Sequence, residues 1–237
     1  MRSKTSFALD IMERLEAVNG IAEISHQFDP MEELVSCILS QHTSDANSFP
    51  AFDKLREHYD DWQAVVDGGE GELAKVVRSA GLANQKSKSI IKCLKKIKER
   101  TGRYSIDFLR EMPLAEARKW LTDLPGIGPK TASIVLCFRF GMDAIPVDTH
   151  VYRVAWRIGF IKEGIGETKA HDALEKIVPK GHAFRFHTDL IEHGRSICKA
   201  PLPRCEHCFV SEFCRWYKKG GPEKRREELM RARKKRA

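Results

Sequence analysis

The chain has 237 residues, 42% of them apolar and 31% charged, so it is long enough to bury a core and is not a wholly unstructured protein. It contains no run of 18 apolar residues, which excludes a membrane span, and Asp10 interrupts the amino-terminal segment before a signal peptide can develop, so we expect an intracellular protein. The net charge of +8 is concentrated in residues 218–237, which hold ten basic and three acidic residues, and the rest of the chain is nearly neutral.

Helical periodicity begins at the amino terminus. Apolar residues at Phe7, Ile11, Leu15 and Val18 recur at helical spacing and predict one helix, which ends at Gly20. These four side chains are expected to lie along one face of that helix.

A second helix start is marked by three consecutive signals. Asp29 can cap the helix, Pro30 suits its first position, and Glu32 completes a capping box. A further helix is predicted over residues 72–80, with Gly81 as its stop.

Residues 86–103 form a strongly basic helical segment with eight basic residues and one acid. Ile90, Leu94 and Ile97 supply its apolar stripe. A basic helix face is commonly no more than a solvated surface, but together with the basic segment 218–237 it favours a polyanionic partner. Lys86, at its start, is predicted to contact that partner.

The second half of the chain is also helical in pattern. Gly159 and Gly194 are the predicted ends of two of its helices. The predicted segments are 106–111, 113–124, 129–140, 149–158, 168–178 and 183–193. No alternating strand pattern is present, so the predicted fold class is all-α.

Four of the seven cysteines are crowded into 17 residues with the spacing C-x6-C-x2-C-x5-C. They are Cys198, Cys205, Cys208 and Cys214. In an intracellular chain this spacing indicates a metal site and not a disulfide framework. Zinc and a 4Fe-4S cluster both accept four thiolates, so the spacing alone leaves both open.

A short glycine-rich turn, Leu-Pro-Gly-Ile-Gly-Pro-Lys-Thr-Ala, occupies residues 124–132 between two helices. Without side chains at Gly126 and Gly128, its backbone N–H groups and the next helix terminus can form an anion site suited to a DNA phosphate. Such contacts carry no base information. The same string also fits an ordinary helical hairpin or an accessory segment of a ligase or polymerase.

Lys130 and Asp148 are the candidate catalytic pair. Lys130 falls in the first turn of a helix, where the dipole disfavours a cation, so its position has no simple structural rationale. A helix over residues 129–140 is about 18 Å long, and residues 141–147 can span about 23 Å, so Asp148 can return beside Lys130. Asp148 also fits the N-cap of the following helix, and the two roles are compatible.

The hairpin, Lys130, Asp148 within Pro-Val-Asp-Thr-His-Val-Tyr-Arg-Val, and the cysteine loop together resemble the helix-hairpin-helix-GPD superfamily of DNA glycosylases, in its endonuclease III branch. The resemblance extends from about Asp29 to Cys214 with matching order and spacing. It implies a 4Fe-4S cluster on the four cysteines.

The resemblance also implies two helical domains flanking a DNA-binding cleft. Residues 30–141 would form a six-helix barrel with the hairpin. Residues 1–29 and 142–217 would form the iron-sulfur domain, and residues 218–237 a basic tail. The expected partner is damaged double-stranded DNA, bound by a monomer in the cytoplasm at the nucleoid.

The implied activity is base excision with an associated abasic-site lyase. The Lys130 amine would attack C1′ to form a Schiff base that permits β-elimination, and Asp148 would stabilise the oxocarbenium-like transition state. The lysine must be neutral to react, which burial and the positive helix end would favour. Oxidised or ring-saturated pyrimidines are the substrates implied.

The target nucleotide must be flipped out and the gap filled. By resemblance, Leu82 is the apolar wedge. In the other loop, Leu-Ser-Gln-His-Thr-Ser-Asp departs from the family's Leu-Ser-Ala-Gln-Ala-Thr-Asp, so either Gln41 or His42 fills the gap. Both loops also fit ordinary polar helix ends facing solvent.

Three alternatives remain at this point. One is a monofunctional glycosylase for mismatched uracil or thymine. An adenine glycosylase is less favoured, because 23 residues follow Cys214 and Lys130 is present. The third is a non-catalytic hairpin protein with a structural metal, against which Lys130 and Asp148 argue together.

Overall fold

The computed structural model describes residues 3–24 and 28–234, and every regular element in those ranges is helical. The α-helices are α1 (Lys4–Asn19), α2 (Pro30–Ser40), α3 (Asp45–His58), α4 (Trp62–Val76), α5 (Ala83–Thr101), α6 (Leu114–Thr122), α7 (Pro129–Phe140), α8 (Thr149–Ile158), α9 (Glu167–Glu175), α10 (Ala183–Ser196), α11 (Arg215–Lys218) and α12 (Gly221–Lys234). Short 3-10 helices lie at Arg78–Ala80, Asp107–Glu111, Cys205–His207 and Ser211–Phe213. The prediction of an all-α fold is confirmed.

The chain divides into two compact units. Ser25–Met142 forms one, here called the hairpin unit, and Met1–Ile24 with Asp143–Ala237 forms the other, the cysteine unit. Residues 25–27, and residues 235–237 of the predicted basic tail, lie outside the described residues. Within the described ranges, no helix combines the length and apolar character needed to cross a membrane.

In the hairpin unit, α2 begins with the predicted capping box. The Asp29 carboxylate accepts a hydrogen bond from the Glu32 N–H at 2.8 Å, and the Glu32 carboxylate accepts one from the Asp29 N–H at 2.9 Å. Helix α2 then packs against α3 and α7, with Leu34 and Ile38 fully buried. Burying a side chain of this size contributes about 1.5–3 kcal/mol.

The region between α2 and α5 departs from the sequence prediction. Helix α3 contains Pro50, and α4 begins ten residues before the predicted segment 72–80 and kinks at Gly69, where φ is 76°. A proline and the glycines of α4 weaken the helical pattern in the sequence. Burial of Phe52 and Leu73 holds these helices in place nevertheless, because tertiary packing outweighs propensity.

In the cysteine unit, α1 and α8 both pack against α10. Ile11 and Leu15 are fully buried, and Glu16 forms an ion pair with Arg185 of α10. Val18, in the last turn of α1, is 49% exposed, so the apolar face predicted from the sequence is buried along only part of its length.

The predicted helix Thr149–Ile158 is confirmed, including its end at Gly159. The predicted stop at Gly194 is wrong, since α10 continues to Ser196. A Cβ added at Gly194 would lie 3.0 Å from the Cβ of His150. This glycine therefore permits close approach of α10 to α8 and does not end a helix.

Candidate active site and cysteine loop

The turn between α6 and α7 is a tight backbone hairpin. The N–H of Ile127 donates to the carbonyl of Leu124 at 3.2 Å, and Gly126 has φ of 82°, a conformation that glycine adopts without strain. A Cβ on Gly126 would lie 3.1 Å from the Cβ of Ser89, so a side chain here would also press on α5. Both constraints explain this glycine structurally.

Gly128 has a different environment. It is exposed, and a Cβ added there would have no heavy atom within 4 Å. It is the N-cap residue of α7, and no side chain caps the helix at this position. The first-turn N–H groups of α7 are therefore open to an external anion, which the positive end of the helix dipole favours.

Lys130 lies at the second position of α7, two residues after the exposed Gly128. Its side chain is exposed, so the burial expected from the sequence is absent. The first turn of α7 contains no acidic residue that would hold an ammonium there. Lys130 is within electrostatic range of Cys37 at the end of α2: burial and Glu33 raise the pKa of that thiol well above its usual value, and Lys130 opposes the shift.

Asp148 is half-buried and caps α8. Its Oδ1 accepts a hydrogen bond from the Val151 N–H at 2.7 Å, so the predicted N-cap role is confirmed. Among the described residues, Oδ2 has no hydrogen-bond partner. The carboxylate is thus fixed by one oxygen, and Arg153 of the same helix lies within electrostatic range of it.

Gln41 and His42 follow directly after α2, and the structure separates them. Nε2 of Gln41 donates to the carbonyl of Gly126 at 3.1 Å, so this side chain supports the hairpin. His42 is exposed and has a left-handed backbone, with φ of 54°. Leu82, before α5, is 54% exposed and also left-handed, with φ of 50°.

Lys86 lies in the interior of the hairpin unit, where a direct contact with DNA is not available to it. The residue is 3% exposed, and its Nζ donates to the carbonyls of Leu39 at 2.6 Å and Ala80 at 2.7 Å. Burial lowers its pKa. One sequence signal points to this burial: Lys86 shares the helical register of Ile90 and Ile97.

The cysteine loop converges on one cavity. Its lining includes Cys198, Cys205, Cys208 and Cys214, and none of these four thiols is in a disulfide. Burial, followed by the neighbouring thiols, raises the pKa of Cys205 to about 12, and burial raises that of Cys208 to about 11. Burial and crowding therefore disfavour the thiolate forms of these cysteines unless a cation lies among them.

Buried nitrogen groups surround the loop. Nη1 of Arg157 lies 3.4 Å from the sulfur of Cys198 and donates to the carbonyl of Lys199 at 3.1 Å. Nε2 of His193 lies 3.6 Å from the sulfur of Cys208. Such groups stabilise anionic sulfur ligands. Among the described residues, no group of three or more His, Cys, Asp or Glu side chains is placed closely enough to hold a metal ion.

Arg157 and Arg153 are functional candidates that were not predicted from the sequence. Arg153 donates to the carbonyls of Cys198 and Gly194, each at 2.8 Å. One signal was present: α8 carries both arginines and no acidic residue, so a buried arginine there requires acceptors elsewhere.

Residues 35–180 match the family model of the HhH-GPD superfamily base excision DNA repair proteins. Endonuclease III of Thermotoga maritima is 34% identical over 206 residues, covering 87% of this chain and 92% of that protein.

Two solved structures extend this similarity. A trapped endonuclease III–DNA covalent intermediate has a TM-score of 0.78 at 30% identity, covering 92% of this chain and 99% of that one. A thermostable thymine-DNA glycosylase has a TM-score of 0.76 at 25% identity, covering 91% and 97%.

Proposed function

The chain belongs to the HhH-GPD superfamily of base excision DNA repair proteins, and from this premise we propose that its substrate is duplex DNA carrying an oxidised or ring-saturated pyrimidine. The protein is a base-excision DNA glycosylase with an associated abasic-site lyase activity. The observation that carries the proposal for the site is an exposed lysine, Lys130, in the uncapped first turn of the helix that follows the hairpin.

Lys130 is the proposed nucleophile. Its neutral amine attacks C1′ of the flipped nucleotide, and the N-glycosidic bond breaks with its electron pair leaving on the base, which takes up a proton. The amine, now bonded to C1′, forms a Schiff base as the sugar ring opens. Loss of a C2′ proton then expels the 3′ phosphate with its electron pair. The attack requires the neutral amine, because a protonated amine has no free electron pair.

Asp148 is the proposed electrostatic partner of that reaction. As C1′ loses the base, positive charge develops on the sugar, and a carboxylate held in advance stabilises it. Capping of α8 by Oδ1 fixes the carboxylate, which supports this role because a fixed group needs little reorganisation.

Leu82 and His42 are the proposed residues that enter the duplex when the target nucleotide leaves it. Both are exposed at the ends of short loops, whereas Gln41 is engaged with the hairpin carbonyl. Gln41 would then support the phosphate-binding backbone, with Gly126 and Gly128, and His42 would fill the gap.

The four cysteines are the proposed ligands of a 4Fe-4S cluster. Four free thiols around one cavity, with Arg157 beside a sulfur, fit an anionic thiolate-ligated cluster. When bound, the cluster supplies a rigid cross-link between distant cysteines. Residues of the chain also fix the loop. Arg153 and Arg157 donate hydrogen bonds to its carbonyls, and Cζ of Arg157 lies 4.6 Å from the centre of the Trp216 ring.

A cleavage panel tests the proposed substrate. Duplexes carrying thymine glycol, 5-hydroxycytosine, uracil, a G·T mismatch or an abasic site are incubated with protein, with and without borohydride. We expect release and strand cleavage with the first two, cleavage of the abasic duplex, and a trapped adduct that peptide mapping assigns to Lys130. If the protein releases neither thymine glycol nor 5-hydroxycytosine, the proposed substrate is wrong.

A monofunctional mismatch glycosylase is the second candidate, favoured by the similarity to the thymine-DNA glycosylase. It predicts release from the G·T or uracil duplex with no trapped adduct, so the same panel separates the two. Under the proposed function the protein acts as a monomer on chromosomal DNA, in the cytoplasm at the nucleoid. Sedimentation of the purified protein, alone and with a short duplex, tests the monomer.

A further inference from the structure

One buried ammonium group connects two separate segments of the hairpin unit. Nζ of Lys86 donates to the carbonyl of Leu39, in the last turn of α2, and to that of Ala80, at the end of a 3-10 helix. Leu39 and Lys86 are 47 residues apart. Carbonyls at helix ends lack partners within the helix and carry the negative end of its dipole, so a cation satisfies both.

The two tethered segments share an unusual backbone feature. His42, three residues after Leu39, and Leu82, two residues after Ala80, have left-handed backbones. In the described residues they are the only non-glycine residues with positive φ. Such conformations are strained for residues other than glycine and persist where the surroundings fix them. The carbonyls that accept from the Lys86 ammonium lie within three residues of these two positions. The backbone N–H of Lys86 also donates to the carbonyl of Leu82 at 3.0 Å.

The burial of Lys86 is not a packing necessity. A methionine or leucine would fill the same position on the apolar side of α5 without the desolvation that an ammonium incurs. Lys88, on the same helix, shows the alternative, since it is exposed. The charged hydrogen bonds of Lys86 are what distinguish the two lysines.

We propose that Lys86 is a positioning residue that holds the two loops at a fixed separation, so that His42 and Leu82 enter the DNA stack together. The inference rests on the proposed gap-filling role of these loops. It assigns Lys86 no contact with DNA or with the reacting sugar. Loss of the two Lys86 hydrogen bonds, here called the tether, should therefore slow base extrusion more than it slows cleavage of the glycosidic bond or β-elimination.

Lys86→Met tests this, because methionine is unbranched and apolar, is only one atom shorter than lysine, and donates no hydrogen bond. Lys88→Met is the matched control, with the same loss of charge at an exposed site on the same helix. The first readout is fluorescence of 2-aminopurine placed opposite a tetrahydrofuran abasic analogue, which reports insertion without any base release. The second is single-turnover release of thymine glycol from two duplexes, one fully paired and one with mismatched pairs flanking the lesion.

We expect Lys86→Met to bind the analogue duplex but to lose most of the fluorescence change. Release from the paired duplex should fall at least about tenfold, and the defect should shrink to about threefold in the mismatched duplex, where extrusion takes less work. Lys88→Met should give the wild-type fluorescence change and release rate once each is measured at saturating protein, so that weaker binding does not contribute. The double variant Lys86→Met/Leu82→Ala should lose less of the base-release rate than the product of the two single-variant losses, because both residues act on the same extrusion step.

Equal defects on both duplexes, with an unchanged fluorescence signal, would mean a merely structural role and overturn the proposal. If Lys86→Met does not fold, Lys86→Gln replaces it: glutamine is one atom shorter and cannot reach both carbonyls, so wild-type signal and rate in that variant would also overturn it. If wild-type protein does not release thymine glycol, the proposed substrate fails, while the fluorescence experiment still tests the tether.

Discussion

The hairpin turn, residues 124–128, and the cysteine loop, residues 198–214, both connect helices, but they are held in different ways. The hairpin is fixed by the chain itself, through the conformation of Gly126, its contact with Ser89 and the hydrogen bond from Gln41. The cysteine loop contains only two short 3-10 helices and surrounds a cavity with four free thiols. The first is held by contacts within the chain, whereas under the proposed function the second is completed by a bound cluster.

This difference implies that stability and chemistry are separable. Substitution of an exposed hairpin residue should remove activity and leave the unfolding transition almost unchanged. Substitution of a loop cysteine should do the opposite. The four predictions below test that separation, beginning with the largest expected effect.

Lys130→Gln should reduce strand cleavage at least about a thousandfold and abolish borohydride trapping, because glutamine cannot form a Schiff base. Its melting temperature should stay within about 1 °C of wild type, since Lys130 is exposed and surface substitutions are usually within about 0.5 kcal/mol. Gel assays on an abasic duplex and thermal unfolding measure both. Lys119→Gln, an exposed lysine of α6, is the control.

Base release by Lys130→Gln at a near wild-type rate would contradict the nucleophile assignment. The enzyme would then use water for the first step, as a monofunctional glycosylase does. A large drop in melting temperature would instead contradict the separation of chemistry from stability.

Asp148→Asn should lower base release by about a hundred- to a thousandfold, the range for loss of one positioned electrostatic group. Asparagine caps a helix about as well as aspartate, so the unfolding free energy should change by less than about 1 kcal/mol. Asp148→Ser also retains a cap and serves as a second test of the charge. Rapid-quench kinetics that find both variants within tenfold of wild type would reject the proposed role.

Cys205→Ser should yield protein with less iron and weaker visible absorption, and with an unfolding free energy lower by about 4 kcal/mol or more. The remaining soluble fraction should cleave DNA at a rate within about threefold of wild type per folded molecule. Cys93→Ser replaces a buried cysteine of α5 and should not change the iron content. Stoichiometric zinc and no iron in wild-type protein would contradict the proposed cluster.

Local features of the fold were predictable, and long-range ones were not. The capping box at Asp29 and the glycine end of α8 at Gly159 depend on residues within one turn, so the sequence contains the whole signal. The position of Lys86 depends on a carbonyl 47 residues away, and that of Arg157 on a cysteine 41 residues away. No local pattern encodes such partners.

The candidate site divides in the same way. The N-cap at Asp148 followed from its neighbours, and the structure confirms it. The expected burial of Lys130 did not hold, because solvent exposure depends on what packs around the helix start and not on the residues next to it. The catalytic roles of both residues stay predictions.

The basic tail gives the smallest expected effect and tests whether positive charge alone defines a DNA-binding element. Helix α12 is anchored at its start, since Gly221 is buried so close to Trp216 that an added Cβ would lie 2.2 Å from the ring. Deleting residues 218–237 would therefore disturb the cysteine unit as well as the charge. Deleting only residues 224–237 keeps that anchor and removes eight basic and two acidic residues.

The shorter deletion should weaken binding to undamaged duplex and make the slope of log K against log salt less negative by about 2 to 4, because fewer counterions are released. Turnover on a damaged duplex at saturating protein should not change. A protein with the same tail residues in scrambled order should bind like wild type, since non-specific phosphate contacts depend on charge and not on sequence. An unchanged slope after deletion would show that the tail does not contact DNA, whereas loss of binding on scrambling would show that α12 presents a specific surface.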